Sequence, residues 1–235
     1  VKICRIVAEY GGIYATHIRS LREDFVKATE EAIEIGETAD VPVEISHYVP
    51  QYGGWGQCRE GIGLIENARS RGVDVTFDIH LDTVGGTSVL AMIPPWAKEG
   101  GIRFLRDRLK KDVGFREKLK RQMPGFAGPG TLGYIKHSRY DLLKVVGCQK
   151  REYLGRSVDE IAAEEQVDPL DCLLDLVLEE GTDVFVGGQY CNEQDLRLAL
   201  QHPLSMRGTD ADPGQLSETV ARMLPPRNYS TVPRL

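Results

Sequence analysis

GGIYATH at residues 11–17 and VPVEISH at residues 41–47 are two short apolar runs, and each ends in a histidine. The residues between them carry apolar side chains at helical spacing, so this segment predicts a strand, a helix and a second strand. The side chains that keep this spacing are Phe25, Ala28, Ala32 and Ile35. In a parallel α/β unit both strands end on the same side of the sheet, where ligands bind. We therefore expect His17 and His47 to lie together at that edge.

The same pattern continues downstream. After a glycine-rich loop at residues 51–56, a second helix is expected to end near Gly72, and VDVTFDIH at residues 73–80 predicts a third strand. Ser20 to Glu23 has the sequence of a capping box, which predicts that the first helix begins there. Short β-rich runs that alternate with helices indicate βα units around a parallel sheet.

From about Ile93 the sequence changes to a polar helical stretch, a Gly/Pro-rich loop and further helices. Ser157–Glu160 is a capping box, and Asp168-Pro169 matches the N-cap and N1 preferences, so both predict helix starts. The strand pattern is expected to resume at residues 184–186 and to include a last strand near 205–208. We therefore expect three segments, which are barrel βα units at 1–92, an inserted subdomain at 93–183 and a barrel continuation at 184–235.

The number of βα units is too small for a complete barrel. We count roughly four units, and without the insertion about 145 residues remain, against eight units and ~250 residues in a whole (β/α)₈ barrel. The chain begins with Val1, and its last residues are apolar with no terminating signal. We therefore expect an α/β fold that is the second half of a barrel, with a missing amino-terminal half.

Composition and charge restrict the class of protein. The 235 residues are 41% hydrophobic and 27% charged, which is ordinary for a globular protein, and the net charge of −6 argues against a nucleic-acid surface. No apolar run approaches about eighteen residues, so no membrane span is expected. The five cysteines form no CxxC pair, which favours reduced thiols and a cytoplasmic protein.

Three polar residues are expected where parallel strands end, namely His17, His47 and Asp210. Neutral imidazoles hold Zn²⁺ while leaving a coordination position open, and the metal lowers the pKa of its water from 15.7 towards ~7. A carboxylate can then pass the water proton to a leaving nitrogen. The residues alone leave open a second interpretation, in which the histidines are hydrogen-bonded loop residues.

Several ordered motifs resemble the N-acyl-D-amino-acid deacylases (D-aminoacylases) of the amidohydrolase superfamily. The two histidine-ending runs carry the resemblance, which extends from about residue 8 to residue 235. The other motifs are Asp74-Val75-Thr76, Gly86-Thr87-Ser88, Pro94-Pro95-Trp96-Ala97, Gly208-Thr209-Asp210, Pro226-Arg227 and Thr231-Val232-Pro233-Arg234. The resemblance implies half of a TIM-like amidohydrolase barrel with a small, mostly helical insertion. It also implies hydrolysis of the amide bond of N-acyl-D-amino acids by a metal-activated water.

By this resemblance His17 and His47 are metal ligands and Asp210 is the general acid/base. Ser88 and Arg227 would hold the carboxylate of a small N-acyl amino acid substrate, for which a guanidinium fork is well shaped. One or two Zn²⁺ ions are implied. No His-x-His pair occurs in the chain, so the remaining ligands are expected outside this sequence.

The chain also departs from the family pattern. His80-Leu81-Asp82 stands where the family usually has Tyr-Pro-Tyr, which leaves the acyl and amino-acid preferences open. We expect His80 to be a solvated loop histidine, with a substitute polar contact or an additional ligand as alternatives. Two other functions stay open. One is a cyclic-amide hydrolase of the dihydroorotase or hydantoinase kind, and the other is a non-catalytic half-barrel that pairs with an upstream fragment or forms a homo-oligomer.

Overall fold

The computed structural model of the chain describes residues 1–126 and 133–209, and these form two compact units. The first unit contains residues 1–83 and 191–209, and the second contains 84–126 and 133–190. The sequence-based boundaries, after residues 92 and 183, both lie inside the second unit. The second unit extends beyond both boundaries. The strand at residues 84–88, before the first boundary, pairs with the strand at residues 185–189, after the second.

The helices and strands follow the predicted order. Within the described residues the helices are α1 (Lys2–Glu9), α2 (Phe25–Ala39), α3 (Cys58–Ser70), α4 (Pro95–Lys98), α5 (Gly101–Lys111), α6 (Val113–Gln122), α7 (Val158–Glu165), α8 (Pro169–Glu180) and α9 (Glu193–Leu200). The strands in the same residues are β1 (Tyr14–Thr16), β2 (Val43–Ile45), β3 (Val75–Ile79), β4 (Val84–Ser88), β5 (Lys144–Gly147), β6 (Phe185–Gln189) and β7 (Ser205–Arg207).

The first unit contains a parallel sheet in the order β1-β2-β3-β7. This confirms the prediction of βα units around a parallel sheet, although each strand is shorter than its sequence pattern. Tyr14 pairs with Val43, and Val43 pairs with Val75, so the strand ends lie level with each other. The residues that follow β1 and β2 therefore meet at one edge of the sheet.

The two faces of this sheet differ in polarity. Along β2 and β3 every second side chain is fully buried, and these side chains are Val43, Ile45, Val75, Phe77 and Ile79. The helices α2 and α3 pack against these strands. The alternate positions, Glu44, Thr76 and Asp78, are half-buried. Because side chains alternate along a strand, the acidic groups all lie on the face opposite the apolar one.

Gly36 of α2 shows how closely the helix approaches β2. A Cβ atom at Gly36 would overlap Cγ2 of Val43 and would lie 3.2 Å from the carbonyl oxygen of Val41. We expect Gly36→Ala to lower the free energy of unfolding by about 1–3 kcal/mol, because overpacking displaces the helix or the strand. Urea denaturation monitored by circular dichroism measures this change.

Gly63 of α3 is the matched control for Gly36. It also lies inside a helix, but a Cβ atom there would have nothing within 4 Å. Gly63→Ala should raise the free energy of unfolding by roughly 0.5–1 kcal/mol, because alanine loses less backbone entropy in a helix. Equal effects of the two substitutions would contradict the close packing of α2 on β2.

The second unit contains an antiparallel sheet in the order β4-β6-β5, as far as its residues are described. The strand predicted at residues 184–186 as a continuation of the barrel is β6, and it pairs with β4 and β5 instead of the parallel sheet. That prediction was wrong, because β6 finds its hydrogen-bonding partners in β4 and β5. Gly85 pairs with Gly188, and a Cβ at Gly188 would lie 2.7 Å from the ring of Tyr134. Because position 188 has no side chain, the Tyr134 ring can pack against the backbone of β6.

The helix starts predicted at Ser157 and Asp168 were right, and the one predicted at residues 20–23 was wrong. Ser157 accepts from the Glu160 N–H and its own N–H donates to that carboxylate, which completes the predicted capping box. Asp168 caps α8 as expected. In contrast, α2 begins at Phe25 rather than within residues 20–23. The Ser20 hydroxyl accepts from the N–H of Arg22 at 3.1 Å, so it closes a local turn instead of capping a helix.

Helix length bears on a membrane interpretation. The helix α2 has 15 residues, whereas a span needs about 20 consecutive apolar residues. No helix in the described part of the chain is long and apolar enough to cross a membrane. All five cysteines are free thiols.

Candidate functional site

The structure brings His17 and His47 together at the carboxyl edge of the parallel sheet. The Nδ1 atom of His17 lies 2.6 Å from Nε2 of His47, and the ring centroids are 4.4 Å apart at an interplanar angle of 61°. His17 is exposed and His47 is half-buried. At this distance one of the two nitrogens carries a proton and donates it to the other.

The pairing of β1 with β2 accounts for the position of His17. Thr16 lies opposite Ile45 in the register, and the N–H of Ser46 donates to the carbonyl oxygen of Thr16 at 2.9 Å. His17 follows Thr16 directly, whereas Ser46 stands between Ile45 and His47. The parallel ladder therefore brings the two histidines to within one residue of the same height on neighbouring strands.

His47 itself leaves the regular ladder. The N–H of Val43 donates to the Asp74 carbonyl at 2.8 Å, and the two-residue repeat of the ladder would pair the N–H of His47 with the Asp78 carbonyl. Instead, the N–H of Tyr48 takes that carbonyl at 2.8 Å, and the N–H of His47 donates to Oδ1 of Asp78 at 2.6 Å. His47 is thus one extra residue on its strand relative to β3, in the manner of a β-bulge.

The backbone of His47 is also unusual. Its φ angle is +40°, which is in the left-handed region that residues with a Cβ rarely adopt. Conformations of this kind persist only where the surrounding structure fixes them, and they are concentrated at functional sites. The strain at His47 is therefore an independent reason to place a site at this strand end.

Two carboxyl groups lie on the half-buried face that leads to the histidines. The hydroxyl of Ser46 donates to Oε2 of Glu44 at 2.9 Å. Burial raises the pKa of the Glu44 carboxyl, and the negative charge of Asp78 raises it further against the opposing effect of the Ser46 hydrogen bond. Glu44 therefore keeps its proton to a higher pH than an ordinary glutamate.

The histidine pair fits a metal as two nitrogen donors of a larger site. A tetrahedral ion with bonds of ~2.0–2.1 Å would hold its two nitrogens roughly 3.3 Å apart, so the rings need to separate by less than about 1 Å. In residues 1–126 and 133–209, however, no group of three or more His, Cys, Asp or Glu side chains could hold a metal. A catalytic zinc usually has three protein ligands, so the described residues supply part of such a site.

The other predicted site residues lie in the second unit or outside the described residues. Ser88 belongs to the second unit, where its hydroxyl accepts from the N–H of Leu90 at 3.2 Å and caps a single turn of 3₁₀ helix. Asp210 and Arg227 lie outside the described residues. Their predicted roles stay predictions.

His80 is not the solvated loop histidine that the sequence suggested, because only 1% of its surface is exposed. The segment that follows β3 is hydrogen-bonded to residue 191, where the chain re-enters the first unit, since the N–H of Cys191 donates to the Thr83 carbonyl. Cys191 is fully buried, as expected for a small apolar cysteine, and burial with the nearby Asp195 raises the pKa of its thiol to about 12.

The sequence reasoning missed Asp78 as a residue of this site. The only available signal was its position on the same face as Glu44, at the end of a predicted strand. Its contact with the backbone of His47 crosses 31 positions of sequence and depends on the bulge.

The chain is similar to known amide hydrolases over part of their length. No protein-family model matches it. A segment of 88 residues, which is 37% of this chain and 18% of the relative, is 43% identical to the D-aminoacylase of Alcaligenes xylosoxydans xylosoxydans. A segment of 79 residues, which is 33% of this chain and 16% of the relative, is 28% identical to the N-acyl-D-glutamate deacylase of the same organism.

Solved structures extend the similarity to the whole described fold. A crystal structure of D-aminoacylase, described as defining a subset of amidohydrolases, matches at a TM-score of 0.61 with 26% identity, over 99% of this chain and 38% of its own. The N-acyl-D-glutamate deacylase of Bordetella bronchiseptica, complexed with zinc and a phosphonate inhibitor, matches at a TM-score of 0.59 with 20% identity. The match covers 88% of this chain and 34% of that structure. The second match shows the fold alone. The chain thus spans little more than a third of these structures.

Proposed function

We propose that this chain, as a member of the D-aminoacylase family of amidohydrolases, is part of a metal-dependent enzyme that hydrolyses N-acyl-D-amino acids. The observation that carries the proposal is the contact of His17 with His47 at the carboxyl edge of the parallel sheet. Metal-dependent hydrolases place imidazole ligands where they can converge on one ion and leave a position open. The proposed preference for the D configuration rests on the similarity to a D-aminoacylase and an N-acyl-D-glutamate deacylase.

Each predicted site residue has one role in this proposal. His17 and His47 would hold zinc, which when bound polarises the amide carbonyl and lowers the pKa of water. Asp210 accepts the proton of the attacking water and returns it to the nitrogen of the leaving amine. Arg227 and Ser88 bind the carboxylate of the substrate, and the planar guanidinium group favours a two-point hydrogen bond.

The metal site needs donors beyond the histidine pair. A relative of known structure is described as having a binuclear metal centre, so we propose one or two zinc ions. The described residues supply two nitrogen donors, and the remaining ligands would come from a segment outside this chain. The same observation favours a second candidate function, in which the chain is a non-catalytic half-barrel that requires a partner segment.

An assay of the full-length protein tests these proposals. Hydrolysis is measured as release of free amine from N-acetyl-D-amino acids and their L enantiomers, and as ring opening of a cyclic amide such as dihydrouracil, before and after chelation and zinc addition. We expect hydrolysis of the D substrates only, loss on chelation and recovery with zinc. Arg227→Ala should raise KM for the acyl amino acid, because the carboxylate loses a charge-assisted hydrogen bond.

Each alternative gives a different result in this assay. Hydrolysis of the cyclic amide that is insensitive to Arg227→Ala would favour a cyclic-amide hydrolase over a deacylase. No hydrolysis of any substrate and no bound metal would favour the non-catalytic half-barrel. The isolated 235-residue chain, assayed beside the full-length protein, shows whether activity depends on a further segment.

A further inference from the structure

We infer that Asp78 is a positioning residue that sets the orientation of His47. Its carboxylate and its main-chain carbonyl accept from two consecutive N–H groups, those of His47 and Tyr48. The inference deepens the proposed function, on which the metal-binding role of His47 rests. The hydrogen bonds themselves belong to the fold of the first unit and do not depend on that role.

Two pairings of this strand end are geometrically available. In the regular ladder, the N–H of His47 would donate to the Asp78 carbonyl, continuing the repeat that begins with Val43 and Asp74. In the observed bulge, the Asp78 carboxylate accepts from the N–H of His47. The main-chain carbonyl of Asp78 therefore accepts from the N–H of Tyr48 instead. Asp78 thereby satisfies the N–H groups of both His47 and Tyr48, so the extra residue leaves neither without a hydrogen bond.

The choice between the two pairings decides where the imidazole points. Side chains alternate along a strand, so a regularly paired His47 would share the face of Val43 and Ile45, which is buried against the helices. The left-handed φ angle of +40° ends this alternation. As a result Nε2 of His47 lies 2.6 Å from Nδ1 of His17, whose side chain is exposed.

The neighbouring strand leaves room for this carboxylate. Gly208 follows β7, and a Cβ atom there would lie 3.2 Å from Cγ and 3.3 Å from Oδ1 of Asp78. Contacts of that length are tighter than ordinary packing, so a side chain at position 208 would press on the carboxylate. The absence of a side chain therefore preserves the position from which Asp78 reaches His47.

The experiment compares Asp78→Ala with Asp78→Asn in the full-length protein. We expect Asp78→Ala to weaken zinc binding by about 10–100-fold, as loss of a residue that orients a ligand does, and to change the visible spectrum of the Co²⁺-substituted protein. Asp78→Asn keeps an oxygen that accepts from the His47 N–H, so zinc affinity should recover to within about threefold of the natural protein. Competition with a chromophoric chelator gives the affinities.

Asp74→Ala is the matched control, because Asp74 precedes the same strand but its carboxylate is exposed and paired with Arg69. Its zinc affinity and Co²⁺ spectrum should not change. Asp78→Ala with the natural affinity and spectrum, or Asp78→Asn as damaged as Asp78→Ala, would overturn the inference.

A second measurement remains valid if Asp78→Ala does not fold. In the natural protein labelled with ¹⁵N-histidine, the amide proton of His47 should be shifted downfield and protected from exchange, since it donates to a carboxylate. An exchangeable, unshifted His47 amide would contradict the inference. This readout needs no metal, so a natural protein that binds no zinc would reject the proposed function without deciding the role of Asp78.

Discussion

Alanine in place of His47 is expected to lower the zinc affinity of the full-length protein by more than about a hundredfold, beyond the effect typical of residues that only orient a ligand. His17→Ala should have the same effect, since the two imidazoles face each other with nitrogens 2.6 Å apart. The proposed deacylase activity should fall in parallel with the metal content. The double variant should be no less active than either single variant, because groups that act as one unit are not additive. Metal analysis after dialysis against a chelator measures the loss.

The histidine variants need a control for general effects on the fold. His137 is exposed and lies in the second unit, so His137→Ala should retain its zinc. Since His17 is exposed and His47 only half-buried, both variants should stay folded, with changes in the free energy of unfolding within roughly 1 kcal/mol. A folded double variant that still holds one tightly bound zinc per chain would rule out the histidine pair as ligands.

The approach of His17 to His47 was predictable from sequence, whereas the conformation of His47 was not. The prediction needed only local information, namely two strands of the same length that end in the same residue type with one helix between them. The bulge depends on Asp78, which is 31 residues away and looks like any polar residue on an alternating strand. Periodicity fixes the face on which a side chain lies only while the ladder is regular.

The strand β6 shows the same restriction at the level of the sheet. Its sequence, FVGGQ at residues 185–189, is a short apolar run that fits a buried parallel strand as well as an antiparallel one. The partner decides between them, and the partner β4 carries glycines opposite its own. A similar competition explains Ser20, whose hydroxyl has a turn N–H available two residues later and so does not reach a helix start.

Tyr48→Ala is expected to destabilise the protein by about 3–5 kcal/mol, the cost of removing a large aromatic side chain from a packed core. Tyr48 is fully buried, with its ring 4.7 Å from that of Phe25 and 5.2 Å from that of Phe77. Its hydroxyl lies 2.9 Å from Oγ1 of Thr29. Chemical denaturation with the full-length protein measures the change, and Tyr10→Ala, at a side chain that is 85% exposed, should shift stability by no more than about 0.5 kcal/mol.

Tyr48→Phe distinguishes the contribution of the hydroxyl from that of the packed ring. Because Thr29 already donates its proton to the Phe25 carbonyl, the Tyr48 hydroxyl is the donor to Thr29, and burial raises its pKa so that it stays protonated. Losing that one bond should cost about 1 kcal/mol. Tyr48 follows His47 directly and fixes the chain beyond the bulge, so Tyr48→Phe should keep the zinc affinity while Tyr48→Ala loses it. Equal loss in both variants would mean that the hydroxyl, and not the packed ring, anchors the histidine.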